Sequence, residues 1–299
     1  AGKTTLLNHL LEAKKDEENS IIENEFGKIS IDAQLLNSRH SSLFEMNNGC
    51  ICCTLDNDLT DTLAKILSAE KKPTNLFIEA SGVADPGSIV ALFRIKEVEQ
   101  FFQLKKVICL TDATVVEDWI EEIPEVSRQL AVADLILINK KSLVNPTYLQ
   151  KLYRLLHSIN KLAKVLVTDH ARIPAQEIEE ETFNWPDFTK DPETTIKSQH
   201  PLKSILFEVD KPFDRDLLLN QLTLVFFLSY HQLYRMKGLV WLKDSKQPYV
   251  VQTHGKQVHL APYKGKSKII YPKAQLVFIG KGIQRDSIER IIKKSMISF

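Results

Sequence analysis

The sequence is short of cysteine, of long apolar runs and of net charge, and each shortage excludes something. Four cysteines in 299 residues, three of them clustered, do not make the spread-out disulfide framework of a small secreted domain. Lysine plus arginine (39) nearly balances aspartate plus glutamate (38), so no global field draws the chain to nucleic acid or an anionic membrane. The greasiest stretch, Leu217 to Leu228, is broken by Asn220, Gln221 and Thr223. It falls short of the roughly 20 residues that span a bilayer and reads instead as a buried helix. No secretory signal is expected, and there is no internal repeat or low-complexity segment. The expected setting is a reducing cytoplasm.

What is present is concentrated. Cys50, Cys52 and Cys53 fall within the run Asn47-Asn48-Gly49-Cys50-Ile51-Cys52-Cys53-Thr54, while Cys109 stands apart in an apolar stretch. Regular structure turns adjacent side chains to different faces, so thiols this close are poorly suited to a core. They suit one soft ion, for which zinc or cuprous copper is the natural partner of thiolate. A redox pair is the alternative: a Cys50–Cys53 disulfide is conceivable, and adjacent Cys52 and Cys53 form only a strained one.

The chain begins Ala1-Gly2-Lys3-Thr4-Thr5, followed by a leucine-rich helical run. Gly2-Lys3-Thr4 fits the end of the phosphate loop G-x-x-x-x-G-K-[ST]. In that loop backbone N–H groups cradle phosphates, the lysine reaches the β- and γ-phosphates, and the hydroxyl at Thr4 ligates magnesium. The first glycine of that loop and its preceding strand are not in the sequence. Such a strand is buried on both faces in a parallel sheet, so the sequence reads as a fragment or as truncated at its start.

Further along, apolar runs alternate with amphipathic ones, which predicts an α/β domain with a mostly parallel sheet. Strands are expected at Ser20–Glu23, Leu76–Glu79, Lys106–Leu110, Leu135–Ile138 and Ala163–Val167. Helices are expected at Asp56–Lys71 and Pro146–Leu162. Polar residues close several strands, where open α/β sheets bind ligands. Glu79 at a strand end suits a magnesium-side carboxylate, and Gly82 either lets backbone approach a γ-phosphate or simply serves a turn. Asp56 and Asp58 read as caps of the next helix, and Asp85-Pro86 as a helix start. The domain is placed at 1–175 and a polar, proline-broken linker at 176–200. A smaller α+β domain follows at 201–299, with strands at Ser204–Val209, Gly238–Leu242, Tyr249–Thr253 and Gln275–Ile279 and helices at Asp214–Ser229 and Gln284–Lys294.

Taken in order, the motifs resemble the CobW-type family of P-loop GTPases, which includes zinc and cobalt metallochaperones. Gly2-Lys3-Thr4-Thr5-Leu6-Leu7-Asn8 is similar to the end of its phosphate loop, and Glu23-Asn24-Glu25-Phe26-Gly27 with Ile31-Asp32 to its first switch. Gly49-Cys50-Ile51-Cys52-Cys53 is similar to its C-x-C-C metal motif. Glu79-Ala80-Ser81-Gly82-Val83-Ala84-Asp85-Pro86 resembles its second switch. Lys237-Gly238-Leu239-Val240-Trp241-Leu242 and Leu276 to Gly280 resemble its second domain.

The resemblance implies a GTPase in which Lys3, Asp32 and Glu79 serve catalysis. Gly2, Lys3, Thr4, Thr5, Gly82, Asn139 and Lys140 would bind nucleotide, and Thr4 would hold magnesium. Cys50, Cys52 and Cys53 would bind zinc or cobalt for a client metalloprotein, in a cycle coupled to GTP and GDP; the alternative is a metal-sensing or scaffold protein with a degenerate nucleotide site. Glu25 or a histidine is a candidate extra ligand, and homodimer formation is left open. One position departs from the pattern. The base-reading motif N-K-x-D appears as Asn139-Lys140-Lys141-Ser142. Serine offers no charged acceptor for guanine, so a weakened guanine preference is expected.

Overall fold

The computed structural model describes residues 1–24, 41–45, 55–80, 86–174, 177, 185, 201–229, 232–254, 257–264 and 273–296. Helix α1 (Lys3–Ala13) follows directly on Gly2 and buries Leu6, Leu7, Leu10 and Leu11, one stripe at helical spacing. Strands β1 (Asn19–Asn24), β2 (Ser41–Glu45) and β3 (Asn75–Ala80) form a parallel sheet in the order β2-β1-β3. A second parallel sheet holds β4 (Ile108–Asp112), β5 (Leu135–Asn139) and β6 (Lys164–Val167) in that order. Every residue of β5 is buried, as an unbroken apolar run covered on both faces should be. Helices α2 (Leu55–Ser68), α3 (Pro86–Leu92), α4 (Lys96–Glu99), α5 (Val116–Glu122), α6 (Pro124–Val132) and α7 (Pro146–Ile159) make the crossovers.

Sequence periodicity locates five of these six strands. The missing one is β2, five residues whose Ser41-Ser42 start carries no apolar alternation. Asp56 and Asp58 lie inside α2, which begins at Leu55, rather than at its cap. Pro86 opens α3 as expected.

The edges of β3 and β4 flank a cavity of about 830 Å³, lined by Leu6, Leu10, Phe77, Ile78, Cys109 and Leu110 among others. Cys109 keeps some accessibility by facing this cavity, yet burial pushes its thiol up to about 12, which makes it inert.

The second domain is an antiparallel sheet in the order β10-β9-β8-β11-β7, built from β7 (Leu202–Val209), β8 (Leu233–Val240), β9 (Tyr249–His254), β10 (Gln257–Pro262) and β11 (Ala274–Lys281). Helices α8 (Arg215–Leu228) and α9 (Arg285–Lys294) cover one face. Alternation along the strands divides the labour. Met236, Val240, Leu276 and Phe278 pack with the helices, whereas Leu239, Val277 and Ile279 pack against Ala131 and Leu162 of the first domain. Trp185, from the stretch read as a linker, is buried at that junction. The expectation for Leu217–Leu228 needs correcting. It is a helix, but only Leu218, Leu222, Val225 and Phe226 are buried, while Phe227 and Leu228 are 70% and 72% exposed. A helix lying on a sheet hides only the stripe that meets it, however apolar the rest.

Charge ties the domains together as well. Arg235 of β8 donates to the carbonyls of Val132 (2.7 Å) and Ala133 (2.8 Å) at the end of α6, and to Asp134 Oδ1 (2.7 Å). Desolvation would raise the Asp134 carboxyl, but Arg235, Lys237 and the N–H of Val107 outweigh it and hold the pKa low. Lys237, two residues along β8, is also buried, and burial with Arg235 nearby brings its ammonium down to about 7. The unfolded chain, with an ordinary lysine near 10.5, therefore binds more protons between those values, and stability rises with pH across that window. Lys237→Met is expected to remove up to one proton's worth of that slope, at most ~1.4 kcal/mol per pH unit. Urea unfolding at a series of pH values from 7 to 10.5 checks it; an unchanged slope would contradict the lowered pKa of the buried amine.

Candidate nucleotide site

The parallel registers bring the strand ends together on one edge. Glu23 pairs with Glu79 across β1 and β3, and Asp112 with Asn139 across β4 and β5. The start of α1 lies at this same edge, because Asn139 Nδ2 donates to the carbonyl of Ala1 at 2.8 Å. The Asn139 side chain is buried, and its Oδ1 accepts from the N–H of Ala171 at 2.9 Å. One amide thus bridges the chain start and the loop after β6, residues 138 and 32 positions away.

Gly2 holds a left-handed conformation, φ 99°, which a side chain would strain. A Cβ there would also stand 3.0 Å from Asn139 Nδ2, so the same contact that places the loop demands glycine. From Gly2 the chain enters α1, whose first N–H groups and dipole favour an anion. Lys3 is the first residue of that helix, with Thr4 and Thr5 beside it. The Lys3 ammonium lies 3.8 Å from Glu79 Oε1, and the Glu79 side chain is only 7% exposed. Lys3, Thr4 and Glu79 are thus brought to one place, 79 residues of chain converging on the N-terminus of α1.

Lys140 follows Asn139 in a left-handed turn, φ 62°, and its ammonium meets Asp112 Oδ2 at 2.5 Å. Burial would raise the Asp112 carboxyl, but hydrogen bonds from Lys140 and Thr114 outweigh it and hold the pKa below the usual value. Asp112 thereby fixes the lysine at the mouth of the base-side loop. It carries a role that sequence reasoning passed over, although its place at a strand end beside Thr111 was the available signal. Ala171 lies in the loop after the last strand of the series, where no motif in the sequence marks it.

Hard oxygen donors at the start of α1 and the end of β3, the Thr4 hydroxyl and the Glu79 carboxylate, are the type magnesium selects. Asp32, Gly82 and the cysteines Cys50, Cys52 and Cys53 lie outside the described residues. In sequence, the cysteine run joins the carboxyl end of β2 to the start of α2. Asp32 lies between β1 and β2, and Gly82 between β3 and α3. Among the described residues no three histidine, cysteine or carboxylate groups gather as a metal site. No helix among them is long and apolar enough to cross a membrane.

A phosphate loop at a helix N-terminus, flanked by carboxylates at the ends of parallel strands, defines a P-loop nucleotide-binding protein. Within that class the chain belongs to the CobW/HypB/UreG family. The family's nucleotide-binding domain matches residues 1–167, and the cobalamin synthesis protein CobW C-terminal domain matches residues 202–295. It is 30% identical over 303 residues to the zinc chaperone YjiA of Escherichia coli K12, covering 96% of this chain and 93% of that protein. The zinc chaperone YeiR of the same organism is 31% identical over 175 residues, about half of its length. The crystal structure of Zn(II)-bound YjiA GTPase superposes with a TM-score of 0.72 at 25% identity, covering 99% of this chain and 96% of that one.

Proposed function

We propose that this protein is a GTP-hydrolysing zinc chaperone that binds the metal through Cys50, Cys52 and Cys53 and passes it to a client metalloprotein in the cytoplasm. The observation that carries the nucleotide half is the convergence of Gly2, Lys3, Glu79 and Asn139 on the N-terminus of α1. The relatives named as zinc chaperones support the metal half. Gly2 and the first turn of α1 hold phosphate through backbone N–H groups, and Lys3 offsets its charge. Thr4 and Glu79 would hold magnesium, which supplies further neutralisation of phosphate charge when bound. Asn139 and Lys140 frame the base. Gly82 gives the γ-phosphate a close backbone approach, and Asp32 positions the attacking water.

The cysteine run stands in sequence between the segments of Asp32 and Gly82. A γ-phosphate that orders those segments biases thiolate geometry. Zinc affinity is therefore expected to differ between the triphosphate and diphosphate states, each tenfold corresponding to about 1.4 kcal/mol of coupling. Chelator competition in magnesium with a non-hydrolysable GTP analogue, and separately with GDP, measures it. Equal affinities in both states, and in a variant with all three cysteines replaced by serine, would refute the chaperone cycle. The domain limits 1–175 and 201–299, joined by the linker 176–200, belong to the same proposal.

A further inference from the structure

Ser142 occupies the position from which a carboxylate would read guanine, but it is not alone there. A short 3-10 turn (Lys141–Leu143) lays it against the loop that follows β6. Asp169 of that loop places Oδ1 3.2 Å from the backbone nitrogen of Ser142 and 3.1 Å from its hydroxyl oxygen, accepting both hydrogen bonds. The two loops are also tied by the N–H of Lys141, which donates to the carbonyl of Thr168 at 3.3 Å. Among the described residues Asp169 Oδ2 accepts no hydrogen bond, and the side chain is only partly buried.

The loop is held firmly. Thr168 donates from its backbone to Ile138 (2.8 Å) and from its hydroxyl to the carbonyl of Arg172 (2.7 Å). Ala171 N–H goes to Asn139, and the Ala171 carbonyl lies 3.4 Å from His9 Nδ1 of α1. His170 and Ala171 are consecutive non-glycine residues in the left-handed region, each at φ 52°. Backbone held in that region is strained and gathers at ligand sites. Here it turns the chain so that Asp169 and Ala171 both face the base-side motif.

We propose that Asp169 is the base-reading carboxylate of this nucleotide site, supplied by the loop after β6 instead of by the fourth position of Asn139–Ser142. The proposal rests on the nucleotide-site reading above and reverses the weakened guanine preference expected from Ser142 alone. Guanine presents N1–H and a 2-amino group side by side, two donors for one carboxylate. Adenine presents an unprotonated N1 and a C–H, which offer the carboxylate no donor, so adenine is rejected. Ser142 serves as the brace that fixes Oδ1, and Oδ2 faces the ligand.

The test is displacement of a fluorescent GDP analogue by GDP, ADP and XDP. The intact protein is compared with Asp169→Asn and with the exchanged pair Ser142→Asp plus Asp169→Ser. Charged hydrogen bonds contribute about 1.5–3 kcal/mol each, so GDP is expected to weaken roughly 10- to 100-fold in Asp169→Asn. XDP, whose 2-oxo group accepts from an amide, should then overtake GDP. The exchanged pair returns a carboxylate to the same contact from the opposite loop and should regain guanine preference, which also shows that the site still folds. Unchanged preference for GDP over ADP in Asp169→Asn overturns the assignment, as does equal binding of GDP and ADP by the intact protein. No binding of any nucleotide by the intact protein removes the nucleotide-site reading itself, and this assignment with it.

Discussion

Lys3→Ala is expected to lower GTP turnover by about 10²–10³-fold, the cost of deleting one charge-stabilising donor at the reacting centre. The argument is geometric. Lys3 is the first residue of α1, so its backbone N–H faces the phosphate position whatever side chain it carries. The change therefore removes the ammonium and leaves the helix, since alanine is the best helix former. What is lost is a cation 3.8 Å from the Glu79 carboxylate, which is buried at the end of β3. With phosphate bound, that cation offsets two sets of negative oxygens. Single-turnover hydrolysis with saturating magnesium and GTP measures the effect, and urea unfolding of the same variant reads separately what it costs to leave the buried Glu79 carboxylate without that cation. A variant that turns over GTP at the normal rate would place phosphate binding elsewhere.

The second large effect concerns stability. Arg235→Ala is expected to destabilise the protein by about 3 kcal/mol, the lower part of the range for removing one partner of a buried ion pair. Only 11% of the Arg235 side chain is exposed. Its loss strands the Val132 carbonyl and Asp134 Oδ1 at the junction of the domains. The effect is kept from the top of the range by Asn160, whose Nδ2 donates to the carbonyls of Leu130 (2.8 Å), Ala131 (3.2 Å) and Ala133 (2.9 Å). The N–H of Val107 likewise continues to serve Asp134 Oδ2 at 3.1 Å. Arg235→Lys should recover only part of the loss, because an ammonium cannot span carbonyls and carboxylate as a planar fork does. Denaturant unfolding of the two variants decides it; a loss under ~0.5 kcal/mol in Arg235→Ala would mean that water replaces the guanidinium without cost.

These two residues show how unevenly the molecule was legible. Lys3 announces itself, because Gly-Lys-Thr before a leucine-rich helix is a local pattern with a local physical meaning. Arg235 does not, since nothing in Leu233-Tyr234-Arg235-Met236-Lys237 distinguishes a strand's buried cation from a solvent-facing one. Its partners lie about 100 residues away, at the end of α6.

The sequence by itself determined the element types, the order of the motifs and the family they spell. Each depends on contacts within a few residues, such as the stripe of Leu6, Leu7, Leu10 and Leu11 or the unbroken apolar run of β5. Tertiary structure alone decided which face of α8 is covered, why Gly2 must be glycine, and where the base-side carboxylate comes from. The last is the clearest case. Ser142 read alone is a lost acceptor, whereas folding the loop after β6 back on it brings Asp169, 27 residues away, into hydrogen-bond contact. Local pattern fixes what a segment is. Which distant side chain shares its surroundings is set only when strands pair and their ends meet.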